Sequence, residues 1–160
     1  MSKDKFPVTP GTRFLQENKV DFNSYLYEYE DKGGTSQTAD VLKIDEHIVI
    51  KSLVFENENK QCLLMLEHGD KNVSTKELSR LAGFKKLEPA DANQAMKWTG
   101  YQFGGTSPFG TKKEMIVYAE ETIFELEKIF INGGKRGFIV EIAPNELKRI
   151  LDIKTVKTAI

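Results

Sequence analysis

The stretch Ile48-Val49-Ile50-Lys51-Ser52-Leu53-Val54-Phe55-Glu56 decides the fold, together with Gln61-Cys62-Leu63-Leu64-Met65-Leu66-Glu67, which follows it after the polar turn Asn57–Lys60. Both halves are rich in aliphatic residues, and the short polar turn between them reads as the bend of a β-hairpin. Side chains in a strand point alternately to opposite faces, which puts Val49, Lys51, Leu53 and Phe55 on one side. An ammonium on an otherwise apolar face must be paired, must snorkel to water or must line a cavity. A lysine on an edge strand also discourages edge-to-edge pairing. The pattern therefore admits a protective role for Lys51 beside a functional one.

Upstream of the hairpin, Thr9-Pro10 is a helix start, a capping residue followed by proline at the first helical position, and the helix should run to about Lys19. Asn23–Glu30 (NSYLYEYE) reads as a strand, Gly33-Gly34 breaks it, and Ala39–Lys43 reads as a short helix. Downstream, Ser74-Thr75-Lys76-Glu77 has the capping-box spacing and opens a helix that ends near Gly83. A short strand is expected at Lys85–Leu87, helix at Ala90–Trp98, an extended segment at Tyr101–Phe103 and a strand at Glu114–Tyr118. Glu121–Glu127 reads as a turn or short helix. Ile129–Ile131 and Phe138–Ile142 read as strands around a glycine-rich bend, and Pro144 opens a last helix to about Leu151. Strands in the middle with helices at the ends and between hairpins give the α+β class with a mixed, mostly antiparallel sheet. At 160 residues the chain fits one domain, read here as 9–160 behind a flexible N-terminal arm, 1–8.

Composition narrows the function classes. Hydrophobic residues at 39% and charged residues at 29% suit a globular chain. With 23 Lys plus Arg against 24 Asp plus Glu, the net charge of −1 excludes a generally polybasic binder but not a local basic mouth. The single Cys62 excludes a disulfide framework and a cysteine-cluster metal site, and two histidines leave little for a zinc enzyme. The apolar runs fall far short of the roughly 20 residues a membrane span needs, and Met1–Leu15 lacks the apolar core of a signal peptide. The expectation is a soluble cytoplasmic protein with no metal and no cofactor.

Two loops could approach a ligand closely, Gly104–Gly110 and Gly133–Gly137, each with a basic pair beside it, Lys112-Lys113 and Lys135-Arg136. Backbone N–H groups in such loops can hold phosphate, ribose or a developing oxyanion. Neither is a P-loop, since Gly134-Lys135 lacks a following Ser or Thr, and neither is a dinucleotide fingerprint. Taken singly, each loop reads as a hairpin turn; together they point to an anionic ligand. His47 and His68 read as solvated turn histidines, Cys62 as a small buried hydrophobe, and no carboxylate pair stands out. A site built this way would work by positioning and oxyanion stabilisation more than by acid–base chemistry.

These segments together resemble the YbaK family of aminoacyl-tRNA deacylases, relatives of the editing domain inserted in some bacterial prolyl-tRNA synthetases. The matching stretches are Phe22–Glu28 with Tyr27, Ile50-Lys51-Ser52-Leu53, Thr99-Gly100-Tyr101, Gly104–Lys113 and Gly133–Gly137, spread over roughly residues 9–152. The resemblance implies a mixed, mostly antiparallel sheet curled into a partial barrel flanked by helices. It implies clearance of cysteine misattached to proline tRNA, extending to Cys-tRNA(Cys), with the aminoacylated tRNA 3′ end as substrate and prolyl-tRNA synthetase as partner. The substrate's own thiol would attack its ester, and no cofactor, metal or membrane is implied. Lys51 matches the family's essential lysine, Gly104 and Gly105 its pocket glycines, and Tyr27 its pocket tyrosine. Ser52 stands where relatives often have threonine. Tyr101, Ser107, Gly133 and Gly134 fall in the matching motifs and join the expected binding set. Asn132 replaces a serine common in the family, and Ile139 replaces an aspartate found in some members. These two changes bear on amino-acid preference, and leave open a non-catalytic tRNA- or synthetase-binding module and an editing enzyme for alanine.

Overall fold

Eight strands share one mixed sheet in the computed structural model, which describes residues 6–160. The strands are β1 (Asn23–Leu26), β2 (Val49–Asn57), β3 (Cys62–His68), β4 (Leu87–Pro89), β5 (Val117–Glu120), β6 (Ile129–Lys135), β7 (Phe138–Ile142) and β8 (Ile153–Val156). Their order is β1-β7-β6-β2-β3-β5-β8, an open path, with β4 attached to β2. Pairs β1–β7, β2–β3, β2–β4 and β6–β7 are antiparallel, whereas β2–β6, β3–β5 and β5–β8 are parallel. Helices α1 (Pro10–Glu17), α2 (Gly34–Leu42), α3 (Thr75–Ala82), α4 (Ala92–Thr99) and α5 (Asn145–Ile150) complete the α+β fold. Of the expected N-terminal arm, residues 1–5 lie outside the described residues, and Phe6 stacks on Phe138 with ring centroids 6.3 Å apart.

The β2–β3 hairpin forms where the sequence places it. β3 is buried on both faces along its whole length, which explains its unbroken apolar run. The two faces of β2 then part company. Ile50 and Val54 join Leu64 and Leu66 in a core closed by Leu15 of α1 and Leu147 of α5. On the other face, Phe55, Leu63 and Met65 pack under Leu78 of α3. Val49 packs separately with Phe130, Ile139 and Ala39 of α2. Burying each such side chain contributes about 1.5–3 kcal/mol. Lys51 lies on β2 between these two patches.

Several boundaries differ from the sequence expectation. The strand expected over Asn23–Glu30 stops at Leu26, because its partner β7 begins at Phe138, opposite Leu26, and offers no further ladder. Helix α2 starts at Gly34, so the glycine pair opens the helix instead of only ending a strand. β4 falls at Leu87–Pro89, where it can pair with Phe55–Asn57. β5 runs Val117–Glu120, two or three residues later than expected, in register with β3 and β8. Tyr101–Phe103 joins no strand. β8 was not expected; it pairs in parallel with β5 after the short helix α5. Ser74 accepts a bond from the Glu77 N–H, but the capping box is not closed, since Ser74 N–H donates to the Thr158 carbonyl (2.8 Å) and the Glu77 carboxylate pairs with Arg80; Gly83 takes the left-handed conformation that ends α3.

Candidate functional site

Strand β2 has a full partner along one edge and an interrupted one along the other. β3 pairs it from Ile50 to Glu56. Opposite, β6 reaches only Val49 and Ile50, and β4 only Phe55–Asn57. Lys51–Val54 therefore border a gap in the sheet. Gly69 N–H donates to the Val49 carbonyl (2.7 Å) and Asn57 N–H to the Gln61 carbonyl (2.9 Å), so the odd-numbered residues of β2 bond towards β3. Ser52 and Val54 consequently turn their backbone groups to the gap. Val54 accepts from Ala90 N–H (3.0 Å), whereas Ser52 N–H and C=O meet no strand partner there. The Ser52 hydroxyl is also buried without a hydrogen-bond partner among the described residues.

The gap opens into a cleft of about 790 Å³. Lys51 and Ser52 lie on its β2 wall. Tyr27, Thr38 and Ile139 line it beside α2, and Tyr27 Oη and Thr38 Oγ1 share a hydrogen bond of 2.7 Å. Pro89, Ala90, Ala92 and Ala95 form an apolar side, while Phe103, Gly104, Thr106 and Asn132 line the remainder. The Lys51 ammonium makes no ion pair or hydrogen bond among the described residues. The cleft thus offers a cation, a free strand edge and a mostly apolar enclosure, the combination that suits a ligand with one anionic end.

Of the residues singled out from sequence, Lys51, Ser52, Tyr27, Gly104 and Asn132 meet around this cleft. The others stand behind it. Tyr101 is buried, its hydroxyl donates to the Phe109 carbonyl, and burial pushes its pKa up to about 12. Ser107 is wholly buried and accepts from Phe109 N–H (3.2 Å). These two brace the loop from within. Gly105 lies against the backbone of the second loop: an added Cβ would meet Arg136 N at 2.9 Å. Gly133 offers its carbonyl to the Thr9 hydroxyl (2.6 Å) and packs against the Phe138 ring. Gly134, at φ +113, lies against Tyr101 and Thr9. Asn132 joins the two loops: its Oδ1 accepts from Gly134 N–H (2.6 Å) and Lys135 N–H (3.1 Å), and its Nδ2 donates to the Gly104 carbonyl (3.3 Å). Arg136 donates from Nε to the Phe103 carbonyl (2.7 Å) and lies over the Tyr29 ring.

A polar cluster behind Lys51 was not foreseen. Parallel pairing of Leu66 with Ala119 sets Glu67 beside Glu120, a carboxylate pair separated by more than fifty residues of chain. Glu67 is 0% exposed; burial pushes its carboxyl up to about 8, with Glu120 adding to the rise and the His68 N–H and Lys51 opposing it. His68 is not a solvated turn residue. It ends β3 at 1% exposure, bonds to the His47 carbonyl (2.8 Å) and Thr122 Oγ1 (2.7 Å), and stacks on the His47 ring. Burial holds its pKa below the usual histidine range. His47 is half-buried and bonds Asp70 (2.9 Å). Cys62 is buried and its thiol is pushed up to about 11 by burial, which leaves it a poor nucleophile. Among the described residues, no group of three His, Cys, Asp or Glu side chains could hold a metal ion, and no helix is long and apolar enough to cross a membrane.

A mixed sheet interrupted beside a lysine and bordered by a glycine loop defines an α+β domain with an open cleft at the break in its sheet. Residues 30–150 match the aminoacyl-tRNA editing domain family, and the chain belongs to that family. It is 29% identical over 140 residues to EbsC of Enterococcus faecalis, a candidate Cys-tRNA(Pro)/Cys-tRNA(Cys) deacylase, covering 87% of this chain and 85% of that protein. A proline–tRNA ligase of Brachyspira hyodysenteriae is 29% identical over 86 residues, 54% of this chain and 15% of the ligase. The fold matches the crystal structure of a candidate trans-editing enzyme for prolyl-tRNA synthetase, with a TM-score of 0.82 at 20% identity over 96% of this chain and 99% of that one.

Proposed function

We propose that residues 9–160 act as one trans-editing domain that clears Cys-tRNA(Pro), and Cys-tRNA(Cys) with it, in association with prolyl-tRNA synthetase. The observation that carries this reading is the unpaired Lys51 ammonium beside the free Ser52 backbone edge, inside a cleft lined by Gly104. Lys51 would meet phosphate or sugar at the terminal adenosine, a charge-assisted contact. The substrate's thiolate would attack its own ester carbonyl carbon, forming a C–S bond. The backbone N–H of Gly104, with Ser52 N–H across the gap, would hold the resulting oxyanion, the Gly105 N–H being spent on the Gln102 carbonyl (2.9 Å). Collapse then breaks the bond to the ribose oxygen, which takes a proton from water, giving a thiolactone and free tRNA. No side chain need act as nucleophile, in keeping with the buried, high-pKa Cys62.

Single-turnover deacylation of proline tRNA charged with Cys, Ser or Ala tests the reading. Cysteine esters should be cleared far faster than serine esters, because a thiol is a few per cent thiolate near neutral pH and far more nucleophilic than a hydroxyl. Thiolactone should appear among the products. Lys51→Ala should lower the rate at least tenfold, the loss of a charged contact worth about 1.5–3 kcal/mol. Equal Cys and Ser rates would point to an activated water. Ile139 and the Pro89–Ala90 wall give the cleft an apolar side, which favours alanine editing as the second reading; a fast Ala reaction would select it.

A further inference from the structure

Glu67 stands directly opposite Lys51 in the β2–β3 register, so the two side chains leave the sheet on the same face. Glu67 Oε1 accepts from the N–H of His68 (2.9 Å), while Oε2 is buried with no donor among the described residues, and the side chain faces the Glu120 carboxyl, with which it can pair only through a proton. An orphaned carboxyl oxygen in a wholly buried residue requires an account. Beside it, the Glu120 Oε1 accepts from both Thr158 N–H (3.0 Å) and Thr158 Oγ1 (3.3 Å). The charged and titratable groups around Glu67 are Lys51 on β2, Glu120 on β5, and His68 with His47 and Asp70 at the end of the hairpin.

We propose that Glu67 is a positioning residue for Lys51, setting how far the ammonium extends into the cleft. The proposal rests on the reading of Lys51 as the contact to an anionic part of the substrate. Two buried carboxylates side by side do not both ionise readily. Wholly buried and beside Glu120, Glu67 is the carboxyl held towards its protonated form, and Lys51 then has no full charge across the strand pair to hold it back. When Glu67 ionises, its carboxylate competes with the ligand for the ammonium. Its raised pKa, about 8, places that competition just above neutrality.

Two measurements test this, one of them independent of catalysis. The first follows the Glu67 side-chain carbonyl by carbon-13 NMR through a pH titration of the full chain and of Lys51→Met. Loss of the facing cation should raise the Glu67 midpoint by at least half a pH unit; an unmoved midpoint would show that the two groups do not sense each other and would overturn the proposal. The second compares KM for Cys-tRNA(Pro) at pH 7 and pH 9 in the unaltered protein and in Glu67→Gln, whose amide keeps the shape and cannot ionise. Ionisation of the substrate is common to both proteins and cancels in the comparison. KM should rise at least threefold more between these pH values in the unaltered protein than in Glu67→Gln. Parallel profiles would overturn the proposal, since a residue that merely supports packing would shift both pH values alike. Absence of deacylation by the unaltered protein would defeat the functional reading and leave the NMR measurement to decide the Lys51–Glu67 coupling.

Discussion

The two glycine-rich loops look interchangeable in the sequence and do different things in the fold. Gly104, at φ +88, faces the cleft, and the tip it belongs to is held from behind by Arg136 on the Phe103 carbonyl. Gly133 and Gly134 face inward, against Phe138, Val140, Tyr101 and Thr9. Both loops use the missing side chain to let protein pack closely: a Cβ at Gly104 would meet the Tyr29 hydroxyl at 2.6 Å and one at Gly105 the Arg136 N at 2.9 Å, and what sets the first loop apart is that Gly104 also borders the cleft. Glycine spacing reports close approach without saying whether the approaching atoms belong to a ligand or to the protein itself.

Substitutions at these positions separate the two loops. The largest loss of stability is expected from Gly133→Ala. Its Cβ would lie 2.6 Å from the Phe138 ring, which is wholly buried and has nowhere to move. Overpacking of this kind costs about 1–3 kcal/mol, read as a fall in the urea midpoint; a change below about 0.5 kcal/mol would put the second loop in the same class as the first. Asn132→Ala comes next. It removes the acceptor for Gly134 and Lys135 and the bond to the Gly104 carbonyl, so stability should fall by about 1–2 kcal/mol and turnover should fall with it. Unchanged turnover at reduced stability would show that the bridge between the loops does not shape the cleft. Gly104→Ala should cost least in stability, about 1 kcal/mol for a side chain in the left-handed region, since the contact it makes is with the outer end of the half-buried Tyr29 ring and not with backbone or a wholly buried side chain. Its deacylation rate should nonetheless drop about tenfold or more, out of proportion to the melt. A rate that follows stability alone would remove Gly104 from the ligand wall.

How much could be read in advance depended on the range over which each signal acts. The β2–β3 hairpin, the Ser74 cap and the Thr9-Pro10 helix start were legible because turn chemistry and capping are local. Lys51 was legible because one ammonium breaks an alternating apolar face. The strand β8 was not, because Ile153–Val156 is short and gains its place only by parallel pairing with β5. The gap beside Ser52 was not, since it depends on where β6 and β4 stop. The Glu67–Glu120 pair was hidden for the same reason: its members come from different strands joined by a parallel register. Tyr101 and Ser107 carried a motif signal that the fold spends on bracing a loop.

The interruption along β2 also bears on how the molecule keeps to itself. Unpaired strand edges invite pairing with another chain, and extended ones seed aggregation. Here the open stretch is Lys51–Val54, closed off at both ends by β6 and β4. At roughly 3.3 Å per residue, that leaves about 13 Å, and since Val54 already accepts from Ala90 N–H, Ser52 is the residue that turns both backbone groups to the gap without a strand partner. The charge on Lys51 sits at one end of it. A window this narrow lets the protein carry exposed main-chain donors and acceptors in its sheet without becoming a template for polymerisation.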